Sequence, residues 1–505
     1  MKMQAVVVRN AAESIACAWI PNACYALGDI FSGKWYTEQS RSQLIIANSV
    51  WASITYCGVV FISFIPVMLS FRFLKTPDRR PTVWFCLFRL ARAVAVYFMV
   101  ATLIVFGCSW LTAYLVTIKP DSLRYKLDCY SINFSLAGYF TGITRAVKQI
   151  YYDETVQGRE KPQQKQHKAR RSKIVPTNAA NAVTSGSLKS PARFKPPNFW
   201  LAYIRNMSVA FVPLLASVFV HILSQFHIVD RGNAVLTIFV VVGVAFKLAV
   251  QELAKHYVFK KRVRSARVMC ILVGIPTVLI DTQMRIIVLG TNSANTAALG
   301  AIGMALFESS LRAGKAVLVM WEIRHRRAVV ARRIAAAALR AGTVEAFEHR
   351  PSNPSVVPHA PKTSSKTSSR PSMSVGMNDF EMWRRQIQAF HTAELNADMY
   401  AEYISIGCSA SILFFYGNHP HYSLLRQTAS TGTTTVDTMA WRVSQLEMLG
   451  FQIAIEVVVD YISTVLEMVI GIEFDHVKKL NSFLAAMFII TAVMNINISV
   501  CIYLS

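Results

Sequence analysis

Apolar positions along this chain gather into long runs rather than recurring at the three- and four-residue intervals of a soluble amphipathic helix. Six runs reach the about 20 residues needed to cross a lipid bilayer: 46–70, 92–117, 203–224, 268–290, 448–472 and 481–504. Two more keep the length but carry charge: 233–251, which holds Lys247, and 298–321, which is rich in Ala and Gly. Two others, 129–146 and 399–416, are more polar, and hydropathy alone leaves open whether they cross or re-enter.

Loop charge decides the count. Cytoplasmic loops collect Lys and Arg. Segment 71–91 holds five basic residues and 147–199 holds eleven. Only one long apolar run lies between them, so 129–146 has to cross as well. The same argument sends 399–416 across, between the basic stretch 322–378 and the sparsely charged 417–447. Loops placed inside then carry 34 Lys and Arg, and those placed outside carry 10. The expected fold is all-α: a polytopic membrane helix bundle of about ten transmembrane helices, eight to ten, with both termini outside.

Composition supports this. The 505 residues are 53% hydrophobic and only 16% charged, against about 25% in a soluble domain. The net charge of +25 is unevenly placed. Two basic loops have a disordered composition, 147–199 and the Ser/Pro-rich part of 322–378, since neither holds enough apolar surface to offset ordering entropy. They divide the chain into an N-terminal non-cytoplasmic segment (1–43), a three-helix block (44–146), a four-helix block (200–321) and a three-helix block (379–505). Residues 321–340 read as a basic helix continuing out of 298–321, and 380–397 as an interfacial helix leading into 399–416. The start of the chain is a poor cleavable signal peptide, because Arg9 and Glu13 interrupt its apolar run. No CxxC occurs, and a Cys17–Cys24 disulfide is the one pairing that an oxidising outer space would favour.

Candidate chemistry lies inside the membrane runs. Glu456, Asp460 and Glu467 fall within a wedge of about 40° on a helix turning ~100° per residue. A charge at the bilayer centre costs about 2.5–3.5 kcal/mol on insertion scales, and carboxylates four residues apart repel each other. Such a face needs a compensating cation. One reading is a proton or cation site, with Glu308 and Asp281 as further ligands. The other is ion pairing with Lys247, Arg285, Arg312 and Lys315 on neighbouring helices. Asp281–Arg285 and Glu308–Arg312 are spaced to pair within their own helices. Lys247, Arg312 and Lys315 lie where long side chains can reach the headgroups instead.

Other features read as structure. Ala301, Ala305, Ser309 and Ala313 form a small-residue ladder for close helix packing. Pro276 marks a kink, and Asn495 and Asn497 suit interhelical hydrogen bonds. His419 and His421 are too few for a metal site. Arg324, Arg326, Arg327, Arg332 and Arg333 form a basic cluster whose expected partner is anionic lipid headgroups, at about 1 kcal/mol each, with an acidic protein second. Ser172 and Ser372 follow basic residues as a kinase would require.

No GxxxxGK[ST], HExxH or GxSxG pattern occurs, so no catalytic residue, cofactor or metal is expected, nor is nucleic acid as a partner. Two functions remain: a transporter or channel-like protein for a cation or proton-coupled solute, and a non-transporting membrane scaffold or signalling protein whose basic loops bind lipid or partners.

Overall fold

A chain in an apolar solvent has no water to satisfy its amides, so long apolar runs close their own hydrogen bonds as helices. The computed structural model describes residues 41–70, 82–154, 199–226, 232–261, 263, 265–290, 294–348, 373–425, 438–470 and 481–505, with scattered positions between 5 and 40. Among these, every regular element is helical. Ten long helices follow in order: α1 (Arg41–Ser70), α2 (Val83–Ile118), α3 (Leu127–Glu154), α4 (Phe199–Gln225), α5 (Asn233–Lys260), α6 (Ala266–Leu289), α7 (Ala294–Glu348), α8 (Met373–Tyr416), α9 (Thr438–Ile470) and α10 (Asn481–Tyr503). Each expected apolar stretch falls within one of them, to within two residues. Five contain segments long and apolar enough to cross a membrane by themselves: Arg41–Phe64, Val83–Ile118, Ala234–Lys260, Ala266–Leu289 and Ala486–Tyr503.

Local chemistry sets the helix ends. The Thr82 hydroxyl accepts from the Phe85 N–H at 3.3 Å and caps α2. Pro120, which has no N–H to donate, ends that helix and opens a short 3-10 turn over Pro120–Tyr125. Lys126 turns the chain into α3 at φ +49°. Its ammonium donates to the Leu504 carbonyl, tying the end of α10 to the α2–α3 corner. Burial lowers the Lys126 pKa from the ordinary lysine value, with the Asp128 carboxylate pulling the other way.

Helices α6, α8 and α10 form the centre, with α8 packed along α6 and α10 against both. On one flank α1 to α4 pack in sequence; on the other, α5 lies on α6, and α7 lies on α8 and α9. Small residues allow the close approaches. A Cβ at Gly274 would stand 3.0 Å from the Phe488 ring, and one at Gly142 would stand 2.6 Å from Tyr97 Cβ. The expected small-residue ladder of α7 does face a partner: Ala301 and Ala305 are buried, and the Ser309 and Ser463 hydroxyls meet at 2.8 Å across α7 and α9. Asn495 accepts from Gln283 and Asn497 donates to Thr55, so both join helices as expected. Pro276 lies within the continuous α6.

The surface reverses the soluble pattern. Trp84, Phe88, Leu103, Val241, Leu306, Leu318 and Val469 are exposed, while the centre of the bundle holds charged groups.

One feature departs from the sequence reading. Residues 380–397 do not form a separate interfacial helix. They are one helix with 399–416, and Ile387 and Phe390 are buried in protein. Phe380 and Ile387 pack on Val319 and Ile323 of α7, and the Arg326 guanidinium stacks 4.1 Å over the Trp383 ring. The pattern allowed either docking, because an apolar stripe does not say whether protein or lipid covers it. Helix α7 itself is continuous over 55 residues, with Arg324, Arg326, Arg327, Arg332 and Arg333 exposed. Two described residues near the N-terminus, Trp19 and Asn22, dock on α8. The Trp19 ring lies 5.2 Å from that of Phe414 at a 49° tilt, and Asn22 donates to Ser411 at 2.5 Å. Cys17, Cys24, Ser172, Ser372, residues 155–198 and residues 350–372 lie outside the described residues.

Candidate functional site

Five helices turn polar faces toward one another at the centre of the second and third blocks. Helix α9 contributes Gln445, Gln452, Glu456, Asp460, Ser463 and Glu467, all buried, on the stripe that the carboxylate spacing predicted. Helix α8 contributes His391, Glu394, Asp398 and Glu402. Helix α7 adds Glu308, Arg312 and Lys315. Helix α6 adds Thr277, Asp281 and Arg285, and α5 adds Lys247 and Gln251. All are buried except Lys315, which keeps 21% of its side chain exposed.

Ion pairs join these helices across the bundle. The Lys247 ammonium donates to Asp281 Oδ2 at 2.8 Å and to Glu308 Oε1 at 3.0 Å. Arg312 donates to Asp460 Oδ1 at 2.5 Å and, through its other terminal nitrogen, to Glu402. Lys315 donates to Glu394 at 2.9 Å and to the Gln251 carbonyl oxygen at 2.5 Å. The Gln251 amide nitrogen in turn donates to Asp398 at 2.8 Å. Arg285 donates from Nε to the Ser405 hydroxyl at 3.2 Å. Its Nη2 stands 3.8 Å from Glu456 and 3.9 Å from Glu308, beyond hydrogen-bond reach.

These contacts correct two expectations. Asp281–Arg285 and Glu308–Arg312 do not pair within their helices, because partners on facing helices lie closer. Lys247 and Arg312 do not extend toward the headgroups. Both end on buried carboxylates, and both are less than a tenth exposed. Of the α9 carboxylates, Asp460 meets Arg312 and Glu456 lies 3.8 Å from Arg285, both on neighbouring helices. His419 takes part in its turn, its Nδ1 accepting the His421 backbone N–H at 3.1 Å.

The network forms a column. Along α8 it runs from Glu394 to Ser405, eleven residues or about 16 Å at ~1.5 Å per residue. His391 extends it by a further turn, its Nδ1 lying 3.9 Å from Glu394. Sequence reasoning missed Glu394, Asp398 and Glu402. Their signal was a four-residue repeat, obscured because it straddles two stretches read separately, 380–397 with Glu394 and 399–416 with Glu402.

Charge does not balance along the column. Asp281, Glu308, Glu394, Asp398, Glu402, Glu456, Asp460 and Glu467 are buried carboxylates. Facing them, among the described residues, are four Lys and Arg side chains, Lys247, Arg285, Arg312 and Lys315, with His391 beside Glu394. One oxygen each of Glu308, Glu402 and Glu456, from three different helices, lies within 4.8 Å of the others. Such an oxygen-only set suits a hard cation. Glu308 Oε2, Glu456 Oε1, Asp281 Oδ1, Asp460 Oδ2 and Arg285 Nη2 have no hydrogen-bond partner among the described residues. Buried polar atoms are ordinarily satisfied, so this cluster stands apart from the rest of the bundle.

Comparison with protein-family models, curated proteins and solved structures finds no match to this chain.

Proposed function

We propose that this chain is a membrane protein of ten crossings that moves protons or a small cation along the column of buried carboxylates. The carrying observation is the surplus of eight buried acids over four basic groups, inside a bundle whose outer faces are apolar. Held charged without a counter-ion, four surplus carboxylates at about 3 kcal/mol each would cost about 12 kcal/mol on insertion scales. That is comparable with the whole net stability of a folded domain, about 5–15 kcal/mol. Exchangeable cations, either protons or metal ions, offset the surplus.

The apolar exterior supports the membrane placement, since lipid selects apolar outer faces and charged interiors. On α2, exposed Trp84 lies at the start and exposed Trp110 eight residues before the end, 26 residues or about 39 Å apart, near the ~40–45 Å span of a bilayer with its headgroup layers. Exposed Trp200 and Trp321 fall at the same end as Trp84 in the alternating topology. Asp281, Glu308, Glu402, Glu456 and Asp460 serve as the proton or cation ligands in this reading. Lys247, Arg285, Arg312 and Lys315 hold them in place and set the net charge. Glu394, His391 and Glu467 continue the path toward the cytoplasmic end.

The test is flux. The purified protein in liposomes carries a proton current or a monovalent or divalent cation flux, read by trapped dyes. Asp460→Asn and Glu402→Gln each lower it at least tenfold while the protein stays monodisperse. Wild-type liposomes that pass neither protons nor cations sink the proposal.

A second reading has its own support: each of the four basic groups has a carboxylate partner, as expected of structural glue. In that case Asp460→Asn lowers stability and no flux exists to lose. Anionic headgroups or an acidic partner would then act on Arg324, Arg326, Arg327, Arg332 and Arg333. Accessibility of single cysteines at 456 and 460 to an impermeant thiol reagent separates the two, since only a water-connected column labels.

A further inference from the structure

Of the four Lys and Arg side chains in the column, three hydrogen-bond a carboxylate. Lys247 bonds Asp281 and Glu308, Arg312 bonds Asp460 and Glu402, and Lys315 bonds Glu394. Arg285 differs. Its Nε donates to the Ser405 hydroxyl at 3.2 Å, and its Nη2 has no hydrogen-bond partner among the described residues. The side chain is buried, with only 3% of it exposed.

Its position is held from two helices. Asp281, one turn earlier on α6, is taken by Lys247, so it does not draw the guanidinium back along its own helix. On α8, the Ser405 hydroxyl accepts from Arg285 Nε and donates to the Glu402 carbonyl at 2.8 Å. A guanidinium is a rigid planar fork, so an anchor at Nε limits where Nη2 points. It points into the group of Glu308, Glu402 and Glu456, 3.8 Å from Glu456 Oε2 and 3.9 Å from Glu308 Oε2.

Those three acids suit a hard cation only if nothing positive stands beside them. A Ca²⁺-sized ion ~2.3–2.6 Å from Glu456 Oε2 would lie within about 6.5 Å of Arg285 Nη2, given the 3.8 Å contact. Like charges at that range repel strongly where water is excluded. A guanidinium also offers donors and no acceptor, so it supplies no ligand on its side of a coordination shell. A proton binds a single oxygen and needs no shell.

We propose that Arg285 is the resident cation of the Glu308, Glu402 and Glu456 group and sets its specificity, closing the column to metal ions and leaving protons as its cargo. The inference rests on the column being a path for cations and names which cation it takes.

The test is metal binding by the full-length protein in phosphatidylcholine nanodiscs. Mn²⁺ is the probe, and its free concentration is read by electron paramagnetic resonance. Wild type and Glu456→Gln bind Mn²⁺ alike. Arg285→Met, which keeps much of the volume and removes the charge, binds Mn²⁺ at least tenfold more tightly, and adding Glu456→Gln abolishes the gain. Arg285→Lys, which keeps a positive charge, gains nothing. Should Arg285→Met not fold, Arg285→Gln, whose amide can still donate to Ser405, takes its place. Wild-type binding that Glu456→Gln removes overturns the proposal, and so does an uncharged variant that gains no binding. Liposome flux separates this inference from the column reading. Wild type is expected to pass protons and neither Mn²⁺ nor Na⁺. Flux of Mn²⁺ or Na⁺ refutes Arg285 as the barrier and leaves the column reading standing. No flux of any kind, with Mn²⁺ binding gained in Arg285→Met, sinks the transport reading and the proton cargo, and keeps Arg285 as the cation that closes the group to metal.

Discussion

Replacing Arg312 with methionine tests whether the column is held by charge. Arg312 is 5% exposed and bonded to both Asp460 and Glu402. Methionine keeps much of the side-chain volume and removes the charge. At an effective dielectric of ~20, two charges ~4 Å apart attract by about 4 kcal/mol. Arg312 makes two such contacts, partly offset by the desolvation of its own guanidinium. Removing one member of a buried pair costs about 3–5 kcal/mol, because the partner is left without compensation. Two carboxylates are stranded here, so Arg312→Met is expected at the upper end of that range. Asp460→Asn leaves Arg312 its Glu402 contact and loses only one charge-assisted bond, about 1.5–3 kcal/mol. The double variant then loses less than the sum, with a coupling of about 1–3 kcal/mol. Reversible unfolding in mixed micelles, followed by tryptophan fluorescence, measures all three. If Arg312→Met loses under ~1 kcal/mol, or if the two changes add within ~0.5 kcal/mol, the charge column does not hold these helices together.

Two further outcomes concern packing. Gly142→Ala places a Cβ 2.6 Å from Tyr97 Cβ and is expected to lose about 1–3 kcal/mol in the same assay. Gly107→Ala, whose Cβ meets nothing within 4 Å, stays within ~0.5 kcal/mol; equal losses for the two would refute the close α2–α3 approach. Trp383→Ala removes a cation–π contact with Arg326, about 0.5–1 kcal/mol, together with apolar packing between the extensions of α7 and α8. Faster amide hydrogen exchange over 322–336 is the expected readout, and unchanged exchange would show that those extensions do not support each other.

The helix positions were written plainly in the sequence, because a run of apolar residues has few alternatives to helix when its solvent is apolar as well. The stripe of Glu456, Asp460 and Glu467 was legible for the same reason: in an otherwise apolar helix, charge stands out and its angle follows from spacing alone. The more polar stretches 129–146 and 399–416 are helical too, in α3 and α8, though neither is among the five segments apolar enough to cross by themselves. The partners of those charges could not be read. Asp281–Arg285 and Glu308–Arg312 are well spaced along their own helices, yet distances across the bundle decide, and those depend on how α5 to α9 are rotated against one another. Glu394, Asp398 and Glu402 stayed hidden because a polar helix segment looks alike whether water or protein surrounds it. The docking of Trp19 and Asn22 on α8 and the orphaned Glu308 oxygen belong to the tertiary structure alone, since each is a relation between residues far apart in the chain.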